Sequence, residues 1–378
     1  MSKDGDGFFT GVVTATSYYG DGSNLSNVTS TTINSNADNR LITGSGTANT
    51  LNGESNLTFD GSTLTVTGAA AVSSDSTING VTVGKGANSV STNTVLGSSG
   101  LDASVTGGNN TAIGYDALTT NTTGQANSAV GSRSLEDTTT GSHNTAVGYQ
   151  AMQLNTTASN NVAVGSGSLY DNTTGTRNTA VGAFAVENNL SNDNTGVGYF
   201  ALNANTTGNS NTAVGSLALD ANTTSSFNTA IGYQALTTND GANANSAVGY
   251  NALRLNTTGA NNTALGYEAL LSNKTASNNT AVGYDTLKSN TTGTQNAAIG
   301  SKALDANTTG YYNTCIGYEA LSANTTGYSN VAIGWKALED NTTGAGNVAI
   351  GDEALANTTT NSNVAINDVL SCNICVLV

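Results

Sequence analysis

A segment of 17 residues recurs along most of this chain of 378 residues, from about residue 93 to about residue 367. Its form is Asn-Thr-Ala-Val-Gly-Tyr-x-Ala-Leu-x-x-Asn-Thr-Thr-Gly-x-x, and its central glycine occurs sixteen times. Successive central glycines lie 17 residues apart, except for one step of 16 residues from Gly182 to Gly198. A short fixed period is the signature of an architecture in which each copy stacks on the one before it.

Comparison of the copies identifies positions that tolerate change and positions that do not. The residue before the glycine is always aliphatic, and a large apolar residue recurs four positions after it. These two columns are predicted to form the core. The predicted core residues are Val147, Met152, Val164, Leu169, Val214, Leu219, Ile231, Leu236, Val248, Leu253, Val282 and Leu287. The residue two after the glycine varies freely and is expected to face water.

The two columns lie five residues apart, so they would point to opposite faces of an unbroken strand. Glycine accepts a positive φ and can supply the corner that brings them together. Each copy is therefore predicted to form a short strand, a glycine corner, a second strand over x-Ala-Leu-x, and a turn at Asn-Thr-Thr-Gly. The predicted corner glycines include Gly114, Gly131, Gly148, Gly165, Gly215, Gly232, Gly249, Gly266 and Gly283.

The pattern predicts an all-β fold, a parallel β-solenoid (β-roll or β-helix) of about sixteen 17-residue coils. A helical repeat is disfavoured, because each copy contains glycine and a turn sequence and because helix-pair repeats need roughly 33 residues or more. At about 4.8 Å per coil, sixteen coils would form a rod on the order of 75 Å long.

Stacked copies place like residues above one another. The asparagines of the turn are expected to form one hydrogen-bonded ladder, which would include Asn121, Asn155, Asn172, Asn205, Asn222 and Asn256. Tyr233, Tyr250, Tyr267 and Tyr284, one residue after the glycine, are expected to stack, with Trp335 at the same position. Aromatic rings can also receive sugars, so this column is a candidate glycan-stacking surface, although a structural stack is the favoured interpretation.

Two aliphatic and two small residues per turn make a slender core. Several rods packed side by side could also bury the alanine columns. The sequence therefore predicts a homo-oligomer, with a homotrimer favoured because small side chains permit close backbone approach about a threefold axis.

The composition argues against several classes of function. Charged residues make up only 9% of the chain, and the net charge is −15, which would repel nucleic acid and anionic membrane surfaces. No apolar run approaches the roughly 20 residues of a membrane-spanning helix. His143 is the single histidine, so most catalytic and metal-binding arrangements cannot be built. No enzyme activity, cofactor or metal site is predicted.

The remaining candidates have simple structural explanations. The acidic Asp4-Gly5-Asp6-Gly7 and Asp21-Gly22 phrases lack a complete calcium-loop pattern. Cys372 and Cys375 form a lone CxxC, which needs a second pair to indicate zinc. Cys315 occupies an alanine position of its repeat and is expected to be a small core residue.

The phrase Asn144-Thr145-Ala146-Val147-Gly148 resembles the Asn-Ser-Val-Ala-Ile-Gly motif of the left-handed parallel β-roll in trimeric autotransporter adhesin heads, whose period is shorter. The segments from Gly11 to Leu25 and from Asn39 to Gly61 are similar to β-rich parts of tail-fibre and other structural proteins of marine bacteriophages. These resemblances imply a trimeric, protease-resistant shaft that carries a receptor-binding surface.

Four regions are predicted: a Gly/Asp/Ser-rich segment over residues 1–36, a β-rich collar or base over 37–92, the solenoid over 93–367, and an apolar cap or tail over 368–378. The expected function is that of a structural fibre of a virion, made in host cytoplasm, that attaches to a host receptor or glycan. The alternatives are a secreted or cell-surface trimeric adhesin and an ice-binding β-solenoid with threonine ladders. Ice binding is the weaker alternative, because the paired threonines are adjacent in a turn.

Overall fold

The structure, a computed structural model, describes residues 32–34, 40–44, 50–59, 62–67, 74–103 and 105–366. The chain divides into two compact units, residues 1–73 and 74–378. The acidic glycine phrases, most of the predicted 1–36 segment, the apolar tail over 368–378, Cys372 and Cys375 lie outside the described residues.

The first unit contains a small sheet. Its strands are β1 (Thr32–Asn34), β2 (Arg40–Gly44), β3 (Thr50–Phe59) and β4 (Leu64–Val66). Strand β3 pairs in parallel with β1 and antiparallel with β2 and β4. The pairing of β2 with β3 shifts register between Arg40 and Ile42.

The second unit begins with an antiparallel hairpin of β5 (Ser76–Ile78) and β6 (Val81–Gly84), and a short 3-10 helix follows over Ala87–Ser89. The Asp75 carboxylate accepts hydrogen bonds of 2.7 Å from the backbone N–H groups of Lys85 and Gly86. Strand β6 pairs antiparallel with the first strand of the repeat. The hairpin therefore covers one edge of the solenoid, an edge that would otherwise present unpaired backbone groups.

Every later strand is short and pairs in parallel and in register with the later strands beside it. These strands are β7 (Thr94–Gly97), β8 (Thr111–Ile113), β9 (Ser128–Val130), β10 (Thr145–Val147), β11 (Val162–Val164), β12 (Thr179–Val181), β13 (Thr195–Val197), β14 (Thr212–Val214), β15 (Thr229–Ile231), β16 (Ser246–Val248), β17 (Thr263–Leu265), β18 (Thr280–Val282), β19 (Ala297–Ile299), β20 (Thr314–Ile316), β21 (Val331–Ile333), β22 (Val348–Ile350) and β23 (Val364–Ile366). Val147, for example, lies beside Val130 and Val164. The predicted all-β parallel solenoid of about sixteen coils is confirmed.

Hydrogen bonds between coils continue beyond the strands. In one coil the backbone N–H groups of Thr145, Gly148 and Met152 donate to carbonyl oxygens of the adjacent coils at 2.9, 2.8 and 2.9 Å. The chain thus satisfies its backbone groups by stacking even where it is not extended, which explains how a 17-residue turn with three-residue strands remains ordered.

The predicted second strand is wrong. The x-Ala-Leu-x segment forms a turn in every coil, because two of its residues adopt left-handed backbone conformations. In the coil of Gly148 these are Gln150 (φ 57°) and Met152 (φ 52°). Such values are uncommon for residues other than glycine. Their repetition in successive coils indicates that packing and cross-coil hydrogen bonds together select them.

The prediction for the core holds for only one of its two columns. The residues four after the glycine are fully buried; they include Met152, Leu169, Leu219, Leu236, Leu253 and Leu287. The residues just before the glycine lie instead on the outer face of the sheet, exposed or half-buried; they include Val147, Val164, Val214, Ile231, Val248 and Val282. The physical reason is strand alternation: Ala146 points inward with 0% exposure, so Thr145 and Val147 on either side of it point outward.

The alanine columns fill the interior of the single coil. Ala146 and Ala151 are both fully buried, as are their counterparts in the other central coils. They pack with the leucine column in one continuous core. The alanines therefore offer no surface to a partner, which removes the argument that placed them at a threefold axis.

The corner glycines are fixed by backbone conformation and by close approach. Gly249 has a φ of 141°, in the region that side chains disfavour. A Cβ atom added there would overlap the carbonyl oxygen of Gly266 in the next coil. The same two conditions recur along the column, with φ between 133° and 143° from Gly114 to Gly351.

Two columns of buried asparagines run along the solenoid. The predicted amide-to-amide ladder of the turn extends from Asn189 to Asn341, while Oδ1 of Asn121, Asn155 and Asn172 accepts no hydrogen bond. In the predicted ladder, the Nδ2 group of Asn256 donates to Oδ1 of Asn239 at 3.0 Å and to the carbonyl oxygen of Gly259 at 2.9 Å. A second ladder lies at the start of each strand. There Oδ1 of Asn245 accepts from the backbone N–H of Asn262 at 2.9 Å, while its Nδ2 group donates to Gly259 O at 2.9 Å.

At the 16-residue coil the ladder at the strand start continues, since Oδ1 of Asn178 accepts from the backbone N–H of Asn194 at 2.9 Å, whereas in the turn ladder Oδ1 of Asn172 accepts no hydrogen bond. Thr179 pairs with Thr195 and Val181 with Val197, so the strands remain in register across the deletion. The carbonyl oxygen of Ser191 accepts from the Nδ2 groups of both Asn178 and Asn189 at 2.8 Å. The missing residue is therefore absorbed within the turn.

Candidate functional site

The outer face of the parallel sheet is a continuous stripe of aliphatic and small hydroxyl side chains. We call it the sheet stripe, and it consists of the first and third residues of strands β8–β22. Its first residues are Thr, Ser, Val or Ala, and its third residues are Val, Ile or Leu, with no charged residue in any strand. Ile231 and Leu265 are 39% and 46% exposed. A continuous row of exposed aliphatic side chains is a feature that commonly marks an interaction surface.

The first threonine of the turn is hydrogen-bonded to the next coil, whereas the second, as at Thr157 and Thr309, is exposed. The Thr156 hydroxyl donates to the carbonyl oxygen of Thr173 in the next coil at 3.1 Å, and Thr308 donates to Thr325 O at 3.0 Å. The threonines that face outward on a flat sheet are those of the sheet stripe, such as Thr212 and Thr229. Outward threonines therefore form two columns, an exposed one at the second threonine of the turn and a half-buried one on the strand.

The tyrosine column forms the predicted stack. The ring centroids of Tyr233 and Tyr250 are 5.5 Å apart, those of Tyr250 and Tyr267 are 5.1 Å apart, and those of Tyr267 and Tyr284 are 5.2 Å apart. Neighbouring ring planes differ by only 9° to 15°. Each inner ring thus faces another ring on both sides, which leaves its edge and its hydroxyl group directed outward.

This packing limits what the column can bind. A sugar that stacks on an aromatic ring needs an open ring face, and rings about 5 Å apart leave no room for one between them. The outer faces of Tyr233 and Tyr284 are different, because the next coils carry Ser216 and Ser301 at this position. No further aromatic ring therefore stacks on the outer faces of Tyr233 and Tyr284, which are the faces left for a sugar.

Ion pairs occupy the column two residues after the glycine in the later coils. Lys288 Nζ lies 2.7 Å from Glu268 Oε2 and 3.2 Å from Asp285 Oδ1. The hydrogen bond with Lys288 lowers the pKa of Glu268, and the same bond raises the pKa of Lys288. Further along, Glu319 lies between Lys302 and Lys336 at 3.7 and 3.5 Å. These groups neutralise one another on the surface.

Within the described ranges, no group of three His, Cys, Asp or Glu residues could hold a metal ion. His143 is exposed in the turn before strand β10. Cys315 is fully buried, and burial raises the pKa of its thiol, which keeps the thiol protonated.

The Asn-x-Ser/Thr sequences of the turn are structural. The asparagines at Asn121, Asn155, Asn205, Asn273 and Asn307 all have 0% exposure, because each belongs to the buried asparagine column of the turn. A glycan could not be attached to them in the folded solenoid.

The sequence matches no protein-family model and no curated protein. Across the described residues, no helix is long and apolar enough to cross a membrane.

Sequence reasoning missed two features of these surfaces. It placed the aliphatic column inside, although that column varies among Val, Ile and Leu while the inward alanine is almost constant. It also passed over the second asparagine ladder, whose signal is an asparagine before every strand from β7 to β23. In both cases near-constancy of a residue marked the tightly packed interior.

Proposed function

We propose that the chain is a non-enzymatic structural fibre component of a virion, a tail fibre or shaft, that displays a repetitive surface for attachment to a host receptor or glycan. The observation that carries the proposal is the uninterrupted register of strands β7–β23, maintained even through the 16-residue coil. A rod whose every coil bonds to both neighbours suits a projecting shaft, because no joint between coils lacks backbone hydrogen bonds.

The assignment to a virion rests on the resemblance of the repeat and of the N-terminal segments to fibre proteins. The same rod would serve a cell-surface adhesin, which is the alternative within this class. Attachment would use the columns that vary from coil to coil, among them the ends of the tyrosine stack at Tyr233 and Tyr284. Self-association as a homo-oligomer, the homotrimer included, is part of the proposal.

Electron microscopy of the purified chain and of virus particles tests the proposal. We expect rods on the order of 75 Å long from the solenoid, since coils repeat at about 4.8 Å. Gold-labelled antibody against the solenoid should decorate projecting appendages of the particle. Globular molecules, or label confined to the particle interior or to uninfected cells, would contradict it.

A second candidate function is ice binding, and the outward threonines of the sheet stripe favour it. Threonines such as Thr212 and Thr229 repeat once per coil on a flat face, beside an aliphatic column. A freezing-point measurement on the isolated chain tests this candidate. A thermal hysteresis that substitution of these threonines abolishes would replace the fibre proposal with ice binding.

A further inference from the structure

The sheet stripe is the largest feature of the solenoid that its own fold leaves without a role. The inward columns fill the core, and the asparagines form ladders. The tyrosine rings stack on one another, and charged side chains form ion pairs with one another. The stripe alone presents branched apolar side chains to solvent in strand after strand, including Val147, Ile299 and Ile316. Branched aliphatic residues gain about 25 cal/mol per Å² when they leave water, so an open stripe is costly.

Its charge pattern differs from that of the rest of the solenoid. The chain carries 35 charged residues, yet none lies in the stripe from β8 to β22. Charges occur instead at the column two residues after the glycine and in the turns, as with Glu268 and Asp240. Depletion of charge at the centre with charge retained at the margins is the composition of a protein interface.

The extent of the stripe is sufficient for a stable contact. Over the strands β8–β22 at about 4.8 Å each, it is about 70 Å long, and two outward residues per strand make it about 10 Å wide. It would therefore bury about 700 Å² on each of two copies, close to the roughly 800 Å² per partner of a standard interface.

The spacing of the stripe identifies its occupant. The aliphatic side chains repeat once per coil, with Val214, Ile231 and Val248 in register on adjacent strands. A partner that packs along the whole length needs ridges and grooves with the same period. A second copy of this chain has that period and the same charge-free face, so side chains of two stripes can interdigitate as in packed sheets about 10 Å apart.

We propose that the sheet stripe is the surface through which copies of this chain associate, the stripe of one copy packed against the stripe of another. This inference rests on the self-association included in the proposed function and gives it a location. The alanine columns play no part in the contact, because each coil buries its own. In such an assembly the stripe is covered, so this inference and the ice-binding candidate make opposite predictions for the same surface.

The test uses the full chain with two glutamates introduced into the stripe, Ile231→Glu and Leu265→Glu. Both residues are exposed in the single chain, so the substitution is compatible with the folded coil. The control carries Thr258→Glu and Thr275→Glu, which add the same charge at exposed turn positions away from the stripe. Light scattering after gel filtration gives the mass, and circular dichroism with proteolysis verifies the fold of each variant.

We expect the unmodified chain and the control to have at least twice the 37.7 kDa mass of one chain. The stripe variant should have the mass of a single chain. A second measurement avoids dependence on the glutamates. In a chain with Cys372→Ser and Cys375→Ser, Thr229→Cys on the middle strand of the sheet stripe should form a disulfide between copies. Thr258→Cys, in the turn, should not.

A monomeric unmodified chain, or an oligomer whose mass the stripe substitutions leave unchanged, would overturn the inference. If the purified chain is monomeric and antibody against it labels viral appendages, the proposed interface is refuted and the fibre proposal is unaffected. If the chain forms oligomers that depend on the stripe but antibody against it labels no appendage, the interface is supported and the fibre proposal is refuted.

Discussion

Alanine substitution at two glycines of one coil would separate the two reasons why a solenoid needs glycine. Gly249 lies at the corner and Gly259 in the turn of the same coil. A Cβ atom at Gly249 would overlap the carbonyl oxygen of Gly266, and one at Gly259 would overlap that of Ala276. The steric demand from the next coil is therefore similar at the two positions, while the backbone conformation differs.

The difference in φ decides the expected magnitudes. Gly249 has a φ of 141°, and a residue with a side chain held in such a region costs about 1–3 kcal/mol before any overlap is counted. Gly259 does not have a positive φ, and the chain already carries Ala242 and Ala276 at the same position of the flanking coils. We expect Gly249→Ala to lower the free energy of unfolding by at least about 2 kcal/mol. Gly259→Ala should change it by no more than about 0.5 kcal/mol.

Urea titration followed by circular dichroism gives the change in stability of the full chain, and amide hydrogen exchange locates it. Protection in the Gly249→Ala variant should fall most in the coils on either side, because each coil contacts only its neighbours. Equal losses in the two variants would refute the reasoning, since they would show that overlap with the next coil, rather than backbone conformation, keeps glycine at the corner.

Three further outcomes are expected. Thr138→Asn should stabilise the chain by about 1 kcal/mol in urea titration, because it supplies the donor missing at Oδ1 of Asn121, whereas Thr139→Asn outside the ladder should not. Burial disfavours the charged carboxylate of Asp220 and raises its pKa, so this residue destabilises the folded chain at pH values above the pKa of the unfolded carboxyl group. Asp220→Asn should therefore raise the melting temperature at pH 7 but not at pH 3. Peptide mass mapping should find Cys315 alkylated only after unfolding.

The fold could be predicted from the sequence because stacking makes the period visible. Sixteen glycines at constant spacing fixed the coil length, and the need to satisfy backbone groups between coils predicted parallel strands in register. The tyrosine stack and the turn asparagine ladder followed from the same translation. Each of these features depends on relations between copies, which a repeat displays directly.

The features that failed depend on geometry within one coil. Size suggested that Val147 points inward, but the narrow coil admits Ala146 beside the bulky Met152. Likewise, the left-handed conformation of Met152 has no local signal, because residues with side chains rarely adopt it. Two tertiary interactions cause it. The conformation places the Met152 side chain in the core, and it lets the Met152 N–H donate a hydrogen bond of 2.9 Å to the carbonyl oxygen of Ser168 in the next coil. The interior of a coil must therefore be identified by constancy of size.

The outer columns differ in a way that separates assembly from recognition. The columns after the glycine change in blocks along the rod, from the stacked rings of Phe184 and Phe200 to the tyrosine stack and then to the ion pairs of Glu319. The sheet stripe stays uncharged throughout, with an aliphatic third residue in every strand. A ligand can be specified by one block, so selection for binding permits such changes. A contact between two rods requires the same side chains at every level, and a uniform stripe beside variable columns is the pattern that this requirement would produce.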